Sequence, residues 1–190
     1  MMIHSKKDVI RLISEDKWMM DILRSAQSLN LPDWWVCVGF VRSKIWDELH
    51  EFKERTLLPD IDVIYFDKSN VDEEIEKHYE NILKQRHHTI PWSVKNQARM
   101  HTVNNDRPYS SSSEAIAKFP ETATALGVKL DEEGKVMLTA PHGIEDVINF
   151  TIRPTPYFSE TEERMDYYHL RVRKKNWKSI WHKVEVLQVE

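Results

Sequence analysis

Leu31 to Asp67 reads LPDWWVCVGFVRSKIWDELHEFKERTLLPDIDVIYFD, and the elements inside this stretch decide the fold. Trp35-Val36-Cys37-Val38 is an apolar run of strand length closed by Gly39, which lets the backbone turn sharply. From Val41 to Phe52, apolar residues at Val41, Ile45, Trp46, Leu49 and Phe52 fall at helical spacing. Asp60 to Asp67 is a second strand, rich in β-branched and aromatic residues. Side chains two apart on a strand share a face, so Asp60 and Asp62 point the same way, their Cβ atoms roughly 6–7 Å apart. Two carboxylates on an otherwise apolar strand repel each other and lose hydration unless a cation lies between them. Hard oxygen ligands in that arrangement suit Mg²⁺ or Mn²⁺. Arg42 and Ser43 stand at the start of the intervening helix, where unpaired N–H groups favour an anion. They are candidates to hold a phosphate group; the competing reading pairs Arg42 with a surface carboxylate.

The rest of the 190 residues bounds this reading. Hydrophobic residues make up 41% and charged ones 31%, a balance that suits one globular domain over residues 1–190. A net charge of −4 argues against a broad nucleic-acid-binding surface. The single cysteine, Cys37, lies in the first strand and reads as a small buried hydrophobe, which fits a reducing, cytoplasmic setting. No apolar run approaches membrane-spanning length.

Five blocks then carry a resemblance. They are GFVRSKIWDELH from Gly39, DIDVIYFD from Asp60, WSVKNQARMH from Trp92, FPETATALGVKL from Phe119, and APHGIEDV from Ala140 with RPTP from Arg153. Together they resemble a bacterial nucleotidyltransferase-like family of the polymerase-β-type nucleotidyltransferase superfamily. The resemblance implies an α/β (α+β) fold: a small, mixed, twisted sheet flanked by helices, with a core over about 31–156 and a C-terminal helical segment over about 160–186. It implies Asp60 and Asp62 as catalytic metal ligands, Gly39 beside a nucleotide phosphate, and a nucleoside triphosphate as substrate. Members place Gly or Ser after this glycine, where the present chain has Phe40. The third catalytic carboxylate of the superfamily matches Asn96, whose amide oxygen can still coordinate Mg²⁺. Asp146 is the other candidate for that role. Glu121 and Thr124 are expected near the nucleotide, although capping of a short helix explains them equally.

Along the chain, Asp8 to Leu29 reads as one long amphipathic helix. Val71 to Lys84 reads as another, with a solvated charged face and an exposed His87-His88 pair after it. Ile90, Trp92, Val94, Asn96 and Ala98 alternate with Ser93, Lys95, Gln97 and Arg99, which predicts a third strand through Ala98. Lys95 and Arg99 then share a face, and either is a candidate phosphate contact. Glu121 to Leu126 reads as a helix stopped by Gly127, and Asp131-Glu132-Glu133-Gly134 as the turn of a hairpin. Glu160 to Val186 reads as a helix with acids early and bases late, with Tyr167, Leu170, Lys174, Trp177 and Trp181 along one face that is expected to pack against the body rather than approach RNA. The sequence therefore points to a metal-dependent nucleotidyltransferase with a small-molecule acceptor expected ahead of nucleic acid. The alternative is a nucleotide-binding or regulatory module with little turnover.

Overall fold

A computed structural model describes residues 2–187. Five strands form one mixed sheet in the order β3-β2-β1-β4-β5. They are β1 (Trp35–Cys37), β2 (Ile61–Tyr65), β3 (Trp92–Asn96), β4 (Gly127–Leu130) and β5 (Val136–Thr139). β1 runs antiparallel to β2 and β4, while β2 and β3 are parallel. The parallel pair is bridged by α4 (Glu73–Arg86), a crossover helix capped by Asp72. α3 (Gly39–Leu49) connects β1 to β2 and packs on the sheet through Val41 and Ile45, both fully buried. The expected mixed α/β architecture is therefore present.

Four local expectations are corrected. The N-terminal helix is two helices, α1 (Lys6–Ser14) and α2 (Lys17–Gln27). Asp16 starts the second by accepting from the Met19 amide at 3.0 Å, while its other oxygen pairs with Lys44 and Arg55. β3 ends at Asn96, whose side chain caps α5 (Gln97–Val103), so Ala98 and Arg99 are helical. Residues Glu121 to Leu126 form turns that bring Glu121 into a bridge with Pro154, and Gly127 opens β4 instead of stopping a helix. There a Cβ would come within 3.0–3.1 Å of Ile116 and Thr139 side chains. Finally, α8 (Glu162–Lys175) stops at Asn176, which is left-handed at φ 43°. It buries Tyr168, whereas Tyr167 and Leu170 face solvent.

Between β3 and α8 the chain forms α6 (Ser112–Ala117), capped by Ser111, and the short α7 (Glu145–Ile148). β6 (Thr151–Ile152) pairs in parallel with β7 (Glu185–Val186), which ties the C-terminal segment to the body. Trp177 and Trp181 are buried against Trp46 of α3, so one hydrophobic cluster runs from Ile3 to Val184. Among the described residues no helix is long and apolar enough to cross a membrane.

Candidate active site

Sheet register builds one wall of a cleft of about 690 Å³. Asp62 pairs with Cys37 on one side and with Ser93 on the other, and Ile64 pairs with Lys95. Alternation puts Asp62, Ile64, Ser93 and Lys95 on the same face. Asp60, Asp62, Cys37 and Lys95 line the cleft. α8 supplies the facing wall, where Arg164, Tyr167, Arg171 and Lys175 recur at helical spacing. Lys118, Phe119, Pro120 and Thr124 complete the lining.

Asp60 is exposed and Asp62 partly buried. Burial and the neighbouring Asp60 charge push the Asp62 carboxyl up to about 6, against opposing help from a Ser93 hydrogen bond and the positive charges of Lys175 and Arg171. Burial and the same two aspartates hold the Cys37 thiol well above its ordinary value, so it stays neutral. Neither aspartate forms an ion pair among the described residues, and no group of three or more His, Cys, Asp or Glu side chains there could hold a metal ion. The donor set still fits one hard cation: two carboxylate oxygens whose mutual repulsion a divalent ion would relieve, with room in the cleft for ligand and water oxygens.

Several sequence-predicted residues lie elsewhere. Asn96 is on the opposite face of the sheet from Asp62, in register with Tyr65, and is 1% exposed. Its Oδ1 accepts from the Asp67 and Ala98 amides at 3.0 and 3.1 Å, and its Nδ2 donates to the Asp67 and Asn70 carbonyls at 2.7 and 2.8 Å. All its bonding capacity is used, so it is not a ligand of the aspartate pair. Arg42 is buried, its guanidinium 5.1, 5.2 and 5.4 Å from the rings of Trp46, Trp177 and Trp181. It donates through Nη2 to Ser43 at 3.0 Å, and neither residue lines the cleft. Arg99 is taken by Glu76 through a two-pronged contact at 2.9 and 2.9 Å. Asp146 accepts from Thr122 at 2.6 Å and pairs with Arg153 at 2.9 Å, away from the cleft lining. Gly39 begins α3, and a Cβ there would meet the Arg42 guanidinium at 3.5 Å. Phe40, fully buried, packs on Trp18.

The strained position is instead Val38, the residue before Gly39. It lines the cleft at φ 60° and ψ −119°, a region that a β-branched side chain rarely adopts. Sequence reasoning also passed over Arg171 and Lys175 as cleft residues. Their spacing of four on one helix, in line with Tyr167 and Arg164, is the signal that would have found them.

A nucleotidyltransferase family model matches residues 24–186. The chain belongs to this nucleotidyltransferase family. An NMR structure described as revealing a CCA-adding enzyme head domain is 36% identical, with a TM-score of 0.89 over 98% of each chain. A CCA-adding enzyme in complex with CTP matches with a TM-score of 0.61 and 13% identity over 99% of this chain and 44% of the enzyme. The Thermotoga maritima CCA-adding enzyme complexed with tRNA matches with a TM-score of 0.58 and 15% identity over 100% of this chain and 44% of that one. These two share the nucleotidyltransferase fold, and the present chain spans less than half of their length. A search of curated protein sequences returned no match. The expectation of a small-molecule acceptor draws no support from a set of neighbours that includes a tRNA complex.

Proposed function

We propose that the chain transfers a nucleoside monophosphate from a nucleoside triphosphate to an acceptor hydroxyl. The acceptor hydroxyl releases its proton to water as its oxygen bonds to the α-phosphorus, the bond from that phosphorus to the bridging oxygen breaks, and pyrophosphate leaves. The observation that carries this reading is the Asp60–Asp62 pair on one wall of the cleft, faced by Arg171 and Lys175 on the other. Asp60 and Asp62 would hold Mg²⁺ or Mn²⁺. When bound, the ion stabilises negative charge on the reacting phosphoryl oxygens. Lys95, Arg171 and Lys175 orient the triphosphate and offset the charge that gathers on the leaving pyrophosphate. Arg42 and Ser43 act from beneath, packing α3 against the tryptophans without touching the phosphates.

Charge also favours a polyanionic acceptor. Arg173, Lys174 and Lys175 at the C-terminal end of α8, and Lys178 in the turn after it, are all exposed, and they adjoin the cleft through Lys175. The Thermotoga maritima enzyme of the same fold is complexed with tRNA. These two points rank an RNA 3′ hydroxyl ahead of a small molecule. The second reading, a nucleotide-binding module with little turnover, is favoured by the lack, among the described residues, of a third carboxylate grouped with the pair: Asn96 faces away and Asp146 is tied to Thr122 and Arg153.

The deciding experiment incubates the protein with each α-labelled nucleoside triphosphate, Mg²⁺ or Mn²⁺, and total RNA or a metabolite extract. Label entering an RNA or small product, abolished by Asp62→Asn, supports transfer. Metal-dependent nucleotide binding with no product from any pool would replace transfer by the binding-module reading.

A further inference from the structure

We infer that Glu76 and Glu121, two glutamates outside the aspartate pair, are positioning residues that present cleft cations from two separate elements to one polyphosphate chain. The inference rests on the nucleotide reading above and specifies its phosphate end. Both side chains are 0% exposed. Burying a carboxylate costs several kcal/mol unless it is fully paired, and a buried ion pair is seldom more stable than apolar packing of the same volume. Stability alone therefore does not account for either.

Each glutamate stands behind a cation that lines the cleft. Glu121 Oε1 accepts from Arg171 Nε at 2.6 Å, and its Oε2 accepts from Thr124 Oγ1 at 2.7 Å. Only Nε of Arg171 is used, which leaves its Nη groups without a hydrogen bond among the described residues. Glu76 grips Arg99 with both oxygens and accepts from the Asn96 amide at 3.0 Å. Lys95 Nζ reaches the same carboxylate at only 3.4 Å. A carboxylate already committed to a guanidinium fork neutralises a second cation poorly at that distance. Lys95 is thus held in place while most of its charge stays available.

Lys95 sits on β3 and Arg171 on α8, with Asp60 and Asp62 lining the same cleft. Two cations fixed on separate elements favour a ligand that carries charge at both ends of a chain. A diphosphate or triphosphate carries its charge along such a chain, which a single phosphate lacks. The fixed guanidinium also loses less freedom on binding than a free side chain would.

Calorimetric titration with inorganic tripolyphosphate and orthophosphate, in the absence of divalent metal, tests the inference independently of transfer. The wild type is expected to bind tripolyphosphate, with orthophosphate weaker by at least about tenfold. Glu121→Gln should weaken tripolyphosphate about tenfold, with Glu121→Asp restoring part of the loss. Where turnover is measurable, Glu121→Gln should raise KM for the triphosphate far more than it lowers kcat, a split that general loosening of the fold would not produce. A folded Glu121→Gln protein with wild-type tripolyphosphate affinity overturns the inference. Should that variant fail to fold, Arg171→Lys and Lys95→Gln replace it, and unchanged affinity in both has the same force. Tripolyphosphate binding that weakens as described, in a protein that transfers no nucleotide, upholds the inference and removes the transfer reading. Nucleotide transfer without tripolyphosphate binding does the reverse.

Discussion

Asp62 carries an electrostatic consequence that a stability measurement can read. Its folded-state pKa stands at about 6 against an ordinary value of 3.8 because burial and Asp60 both disfavour the anion. An acid raised on folding contributes stability that is complete below its unfolded value and is lost as pH rises through the folded one. The metal-free protein should therefore lose up to ~3 kcal/mol from this group as pH climbs from about 4 to about 7. Asp62→Asn removes that loss. Urea denaturation in chelator should show the variant more stable than wild type near neutral pH and no more stable near pH 4, while Mn²⁺ binding disappears. Equal stability at neutral pH would refute the electrostatic assignment. Val38 stores strain of a different kind. Replacing it by glycine frees the backbone at φ 60° but raises the entropy of the unfolded chain, for a net gain of about 1 kcal/mol in urea unfolding.

At the level of elements, the junction between β3 and α5 decides what Asn96 and Arg99 can do. Asn96 ends the strand, caps the helix and fastens the loop after β2 through both Asp67 and Asn70. Asn96→Asp exchanges two donated hydrogen bonds for a buried negative charge facing carbonyl oxygens. It should cost about 2–4 kcal/mol in denaturant unfolding and leave Mn²⁺ affinity unchanged. Tighter Mn²⁺ binding by this variant would return Asn96 to the metal site. The strand alternation Ile90, Trp92, Val94, Asn96 was legible, and it put Asn96 on the apolar side of β3. The conflict between that side and the aspartate face was not, because it depends on how β2 and β3 are aligned. Arg99 was misread for a related reason: its strand face vanishes once the chain turns helical at Gln97.

Across the whole molecule, the C-terminal segment completes what the N-terminal half begins. Trp177 and Trp181 close over Arg42, and Trp181 Nε1 donates to the buried Asp47 at 2.8 Å, which also accepts from Thr56. Burial holds the Arg42 guanidinium down to about 10, still charged at neutral pH. Arg42→Ala should lower stability by about 2–4 kcal/mol through lost ring contacts and an internal void. Thermal unfolding should register that loss while tripolyphosphate affinity stays within about a factor of three. A large loss of affinity in a well-folded variant would restore Arg42 to the phosphate site.

The sequence by itself determined the five strands of the main sheet to within a few residues at their ends, the helix between the first two, the hairpin and the shared face of Asp60 and Asp62. Each follows from local periodicity, turn chemistry and the alternation of a strand, which need no knowledge of distant residues. It also marked Glu121 and Thr124, without deciding between a cap and a pocket. Only the tertiary structure decided what stands opposite the aspartates. Arg171 lies more than a hundred residues beyond Asp62, and nothing in the intervening chain specifies that α8 turns this face to the sheet. The same holds for Arg42, which looks like a phosphate ligand at a helix start until three tryptophans, two of them from the far end of the chain, close around it. Local pattern fixes the face on which a side chain emerges; packing between distant elements determines whether that face meets solvent, core or ligand.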